Sequence, residues 1–345
     1  MKKWIVWVLA CCLLLSGCST WLEGSYHSVT PHQEKENDSG DEILAVSSYN
    51  ALCRTLAGMV EKGTLNAVIS VKNYNQLVLA RDMRNAIDNL KKTDPVGAYA
   101  VENIEFDLGT NAGQPAMAVN ITYYADRMEP QKIQYLEDMS QAEQIIGIAL
   151  SNCETGVALH VKQFESRDFV QWVKTFSDAH PLEVMERPEV VYNIYPEDGA
   201  ERVLELKFTY QNSRESLRFM QEQVKKKAEE VLGALASAEN TREKYRALYD
   251  ALAESFTGDD ASNTPAYSLL VRGAADSEGV SKVFAALCAR AELDCALVSG
   301  TRQGEPWHWN KVTINGASYH LDVLRCLQEG SFRLLTESQM TGYAQ

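Results

Sequence analysis

Chemistry requires cysteines, histidines, carboxylates or serines at usable spacings, so those positions come first. The chain carries eight Cys, and five of them (Cys53, Cys153, Cys288, Cys295 and Cys326) lie in its body. No C-x-x-C pair occurs, and no Cys or His spacing matches a zinc site. Cys288 and Cys295 flank a short helix-to-strand connection, where a disulfide and two buried free thiols are both open readings. His27 and His32 sit in a polar stretch without periodicity, and His160 and His180 stand alone. Such residues are read as solvated or structural. Glu102, Glu105 and Asp107 form a carboxylate run, but alternation places them on a solvated strand face. Lys225, Lys226 and Lys227 are flanked by Glu on one helix, the pattern of i,i+4 pairing. Lys and Arg number 33 against 47 Asp and Glu, a net charge of −14. That balance argues against nucleic acid as a partner, because phosphate binding needs a basic footprint. No cofactor and no metal is expected.

The N-terminus reads as an address. Lys2 and Lys3 precede an apolar run from Trp4 to Leu15, too short to span a bilayer. Leu15-Ser16-Gly17-Cys18 then resembles the bacterial lipobox. The resemblance implies cleavage after residue 17 and a diacylated Cys18, holding the protein as a lipoprotein in the cell membrane on its extracytoplasmic face. The alternative is an ordinary secretory signal with an incidental Cys. Two or three acyl chains would anchor stably. Residues 18–44 are polar and acidic with little periodicity, the composition of a flexible tether.

The elements of the body repeat. Ala67–Tyr74 parallels Val157–Phe164, each an apolar or alternating run of strand type between two helical stretches. The helices are expected over 46–62 and 77–92 in the first copy, and over 140–152 and 166–179 in the second. Paired strands follow: Ala98–Asp107 with Ala116–Tyr124, then Val190–Tyr195 with Arg202–Tyr210. Asn111-Ala112-Gly113 and Asp198-Gly199 supply the hairpin turns. An Arg follows the matching Tyr by four residues in each copy, Arg127 after Tyr123 and Arg214 after Tyr210. The pattern predicts an α+β protein with two small α-β-α-β-β domains, 45–138 and 139–236. The second would include the connecting helix 215–236, whose Leu217, Met220, Val224, Ala228, Val231 and Leu235 make one apolar stripe. A third domain fills 237–345, opening on a helix with Thr241 as its cap and ending, over 327–345, in a short segment and a loose end.

Residues 241–326 resemble the bacterial transglutaminase-like domain, a branch of the papain-like superfamily. The resemblance rests on Trp309-Asn310-Lys311-Val312-Thr313-Ile314-Asn315-Gly316, followed by Tyr319-His320-Leu321-Asp322. The run from Leu287-Cys288 through Cys295 to Thr301 looks like the family's helix-to-strand passage. The family implies an α+β fold and a Cys-His-Asp triad: a thiolate at a helix N-terminus, a proton-carrying His and an orienting Asp.

Carried over position by position, two of the three differ. The nucleophile position is Ser277, the His position is Trp307, and only Asp322 matches. A serine hydroxyl needs a strong adjacent base, and an indole only donates. The resemblance therefore implies a degenerate, non-catalytic domain that acts by binding a protein, peptide or wall-associated partner. The alternative is an active acyl-transfer enzyme or peptide hydrolase using Ser277, His308 and Asp322. That would need a bulge at 306–308 to turn His308 inward. His320 is a further candidate base.

Overall fold

The computed structural model describes residues 44–345. The signal segment, Cys18 and the tether, but for its last residue Leu44, lie outside the described residues. Residues 44–345 form an α+β protein with three four-stranded sheets. In the first, β1 (Leu44–Ala45) runs parallel to β2 (Asn66–Ser70), and β4 (Gln114–Tyr123) pairs antiparallel with both β2 and β3 (Val101–Asn111). Helix α1 (Tyr49–Glu61) starts at Ser48, whose side chain accepts from the Ala51 N–H. Helix α2 (Leu79–Thr93) buries Leu79, Met83, Ala86 and Leu90, one stripe at helical spacing. Ala112 and Gly113 both take positive φ, 46° and 76°, in the two-residue turn that joins β3 to β4.

The second sheet has the same topology. Strand β5 (Gln134–Asp138) is parallel to β6 (Gly156–Gln163), and β8 (Arg202–Thr209) is antiparallel to β6 and to β7 (Glu189–Tyr195). Asp138 caps α4 (Met139–Ser151) and Asp168 caps α5 (Phe169–Ala179). The second copy is thus β-α-β-α-β-β, and the first adds a short helix before its last two strands; each has one short strand more than the sequence pattern showed. Gln134–Asp138 belongs with the second sheet, although a boundary after 138 placed it in the first copy. Only Leu136 of this strand is even half-buried, so no apolar alternation marked it.

What joins the copies is a short apolar segment after a proline. A strand expected from Ala98 begins instead at Val101, because Pro95–Ala100 forms helix α3, capped by Asp94 and opened by its proline. Its Val96, Tyr99 and Ala100 are buried in one core with Ala158 and Val203 of the second sheet. In the second copy, Leu182 and Met185, just after Pro181, enter the third core instead. Each copy hands an apolar segment to the unit that follows it.

That third core also takes α6 (Arg214–Gly233). Leu217, Val224, Ala228 and Val231 pack with Tyr245, Leu248 and Leu252 of α7 (Thr241–Ala253). The expected boundary at 236 therefore falls inside a core, since the stripe of α6 faces the C-terminal helices. The cap of α7 is Asn240, one residue before the expected Thr241; its side chain accepts from the Glu243 N–H at 3.0 Å. Helix α8 (Ser277–Arg290) crosses an antiparallel sheet ordered β11-β10-β9-β12, made of Ala317–Leu321, Glu305–Ile314, Cys295–Arg302 and Tyr343–Ala344. The C-terminus is not a loose end: α9 (Val323–Glu329) and β12 are both part of the domain. All five body cysteines carry free thiols, and burial pushes the Cys288 thiol upward. Among the described residues, no helix is long and apolar enough to cross a membrane.

Arg127 locks the two copies. Its guanidinium lies 4.1 Å from the Tyr124 ring, 4.7 Å from Tyr195 of the second sheet and 5.4 Å from Tyr99, and it donates to the Tyr99 carbonyl. Arg214, its counterpart by sequence, makes an exposed ion pair with Glu154. Arg127→Ala is expected to cost about 1–2 kcal/mol in urea unfolding, and Arg214→Ala less than about 1 kcal/mol. Equal losses from both would refute a locking role for Arg127.

Candidate functional site

Three backbone features bring the candidate residues together. Helix α8 begins at Ser277, with Asp276 as its cap, Oδ1 accepting from the Gly279 N–H at 2.8 Å. Strand β10 carries Trp307, His308 and Trp309 past that helix end. Asp322 ends β11 and caps α9, with Oδ1 accepting from the Arg325 N–H at 3.0 Å. Ser277 and Asp322 are both buried, at 8% and 3% exposure.

The carboxylate is fully engaged. Asp322 Oδ2 accepts from Trp307 Nε1 at 2.8 Å and from the Tyr343 hydroxyl at 2.6 Å. Trp307 stands where the family resemblance expects an imidazole, and it makes the imidazole's bond to the aspartate. It cannot make the other one, because an indole has no acceptor nitrogen. Ser277 Oγ accepts from the backbone N–H of His308 at 3.3 Å, and no imidazole among the described residues bonds to it.

Neither His308 nor His320 has a ring nitrogen bonded to Ser277 or Asp322. Register between β9 and β10 is unbroken from Glu305–Arg302 to Val312–Cys295, with Trp307 opposite Gly300 and His308 opposite Ser299. No bulge interrupts 306–308, so His308 faces away from Trp307. Its influence falls on Glu278. Burial works to raise that carboxyl, but the Lys282 ammonium, His308 and Arg187 prevail and hold it below the usual range. His320 is 3% exposed, and both its ring nitrogens are taken. Nδ1 accepts from Trp309 Nε1 at 2.9 Å, so the proton sits on Nε2 and faces Glu337 Oε2 at 2.8 Å. The structure thus brings Ser277, Trp307 and Asp322 to one place and leaves the imidazoles of His308 and His320 outside it.

Sequence reasoning missed the C-terminal strand. Gln303 N–H donates to the Gly342 carbonyl at 2.8 Å, and Tyr343 packs edge-on to Trp309 at 5.2 Å. Arg302 lies over the rings of Trp307 and Tyr343, at 5.1 and 5.8 Å. A glycine inside a strand was the available signal: a Cβ at Gly300 would come 2.1 Å from the Ala344 carbonyl oxygen. Among the described residues, no group of three or more His, Cys, Asp or Glu is placed to hold a metal.

The chain matches no protein-family model and no curated protein. Solved structures similar to it include the following two. One is described as a TGase, at 13% identity over 64% of this chain and 66% of that one, with a TM-score of 0.26. The other is described as a "putative protease" from Parabacteroides distasonis, at 8% identity over 74% of this chain and 39% of that one, with a TM-score of 0.23. Likeness this loose transfers neither activity nor site.

Removing one donor from a buried carboxylate leaves it under-satisfied. Trp307→Phe is expected to destabilise the fold by about 1–3 kcal/mol in denaturant unfolding; an unchanged midpoint would show that Asp322 does not need the indole. The Tyr343 phenol is pushed up to about 12 by burial, then by its bond to Asp322. A raised folded value means that the contribution is fully present below the phenol's ordinary pKa of about 10 and fades as pH climbs through about 12. Tyr343→Phe should flatten that part of the stability–pH curve.

Proposed function

We propose that this chain is a lipid-anchored protein of the extracytoplasmic face of the cell membrane. Its C-terminal domain is transglutaminase-like without the chemistry, and it works by binding a protein, peptide or wall-associated partner. The lipobox at Cys18 supports the anchor, and the Trp309–Asp322 motif supports the domain type. The observation that carries the non-catalytic reading is the bond from Trp307 Nε1 to Asp322 Oδ2. It fills the acceptor that an orienting aspartate would offer to an imidazole. Ser277 is then a hydroxyl at a helix N-terminus with no base. A helix terminus can bring a thiol of pKa about 8.5 into range, but not a serine.

Two tests follow from that chemistry. A fluorophosphonate should leave Ser277 unlabelled, and no amine should be incorporated into a glutamine-bearing acceptor. Labelling that vanishes in Ser277→Ala would overturn the reading in favour of an active hydrolase. Conversely, Ser277→Cys combined with Trp307→His restores a thiol and a proton acceptor on Asp322. Its alkylation by iodoacetamide at pH 6 should exceed that of Ser277→Cys alone by about tenfold or more. The anchor is checked separately: palmitate incorporation in cells should be lost in Cys18→Ala.

A further inference from the structure

Cys288 stands in the last turn of α8 and Cys295 opens β9. The chain between them turns back sharply. Glu292 takes a φ of 55°, and the N–H groups of Ala291 and Leu293 both donate to the Cys288 carbonyl, at 3.0 and 2.9 Å. Two residues beyond that return, Cys295 pairs with Val312 of β10, and Thr313 N–H donates to the Asp294 carbonyl at 3.2 Å. Cys288 is buried in the third core, and Cys295 packs half-buried against the same core. The two side chains meet there. Burial, then a side-chain bond and charge from Cys295, push the Cys288 thiol upward. Tyr245 lies beside both: its phenol is pushed up by burial and then by Cys288 and Cys295. Its hydroxyl donates to the Asp294 carbonyl at 2.5 Å, which pins the residue next to Cys295. The Cys326 thiol, by contrast, donates to a carbonyl, that of Arg333, at 3.8 Å. In the structure Cys288 and Cys295 are both free thiols.

We propose that Cys288 and Cys295 are an oxidisable pair that closes to a disulfide, stapling the end of α8 to the start of β9. The reaction is thiol–disulfide exchange with an external disulfide. The half-buried Cys295 attacks first, as its thiolate, on one sulfur of the oxidant. The oxidant's S–S bond breaks, one thiol leaves, and Cys295 is held as a mixed disulfide. The Cys288 sulfur then attacks Cys295 Sγ and expels the second thiol. Two protein thiols are oxidised, the external disulfide is reduced to two thiols, and both protons end on those. Burial keeps Cys288 protonated, so the second step is the slow one. Helix α8 carries Ser277 at its other end, and β9 holds Gly300 opposite Trp307, so the staple fixes that helix against that sheet. The pairing rests on the fold alone and not on the function or location proposed above.

The test takes the full chain, purified under reductant and freed of it, and equilibrates it with mixtures of oxidised and reduced glutathione. One series is folded and a second is unfolded in urea. Free thiols are then trapped by denaturing in N-ethylmaleimide, and the chain is digested with trypsin. Cleavage after Lys282, Arg290 and Arg302 puts the two cysteines on separate peptides, 283–290 and 291–302. From the folded chain these should be recovered as one disulfide-linked pair that dithiothreitol separates. Half-formation in the folded chain should need a ratio of oxidised to reduced glutathione at least about tenfold lower than in the unfolded one, because a fold that seats the two thiols together favours the bond. Both peptides recovered alkylated, Cys295 carrying glutathione alone, or either cysteine joined to Cys53, Cys153 or Cys326 overturns the proposal. Equal ratios in the two series overturn it too, since closeness in sequence alone would then account for the link. The readout is taken on the unsubstituted chain, so no variant has to fold for the result to count.

Discussion

A carboxylate sealed from water must be given donors, and Asp322 is where the C-terminal domain meets that demand. Three parts of the chain supply them: β10 through Trp307, α9 through the Arg325 amide and the last strand through Tyr343. An unpaired buried charge costs several kcal/mol, so these elements are held to one another by the need to satisfy it. The indole at 307 donates to this carboxylate and, having no acceptor nitrogen, can take no proton in return.

The rest of the fold is a chain of handovers. Pro95–Ala100 of the first copy buries its apolar residues on the second sheet, and the segment after Pro181 buries Leu182 and Met185 in the third core. Equivalent positions in the duplication thus do equivalent work while differing in local structure, helix in one and irregular in the other. Polar contacts reinforce the second seam. Lys282 joins Asp178 to Glu278, Arg290 pairs with Glu183 at 2.6 Å, and Gln221 donates to the carbonyls of Ser151 and Glu183. Because Lys282 is buried, either carboxylate partner is harder to lose than an exposed one would be.

The regular elements were legible in the sequence wherever an apolar stripe, a run of apolar residues or a turn residue marked them. The stripes of α2 and α6, the strands β2, β4, β6 and β8 and the Ala112-Gly113 turn all announced themselves through period or turn chemistry. The elements that escaped were those with weak local signals. Strand β5 shows one half-buried side chain, and α3 is a single turn and a half between a helix and a strand. Strand β12 has two residues, and nothing near it in sequence requires it.

By itself the sequence determined the residue types brought together there: a hydroxyl at 277, an indole at 307 and a carboxylate at 322. It also determined the duplication and the α+β alternation, because periodicity and side-chain chemistry are local properties. Only the tertiary structure decided that the indole reaches the carboxylate, that Tyr343 closes over it and that α6 belongs to the last core. It alone also joined Lys282 to Asp178 and Glu278. Those are contacts between residues far apart in the chain, chosen by which apolar faces find partners and which buried charges find donors.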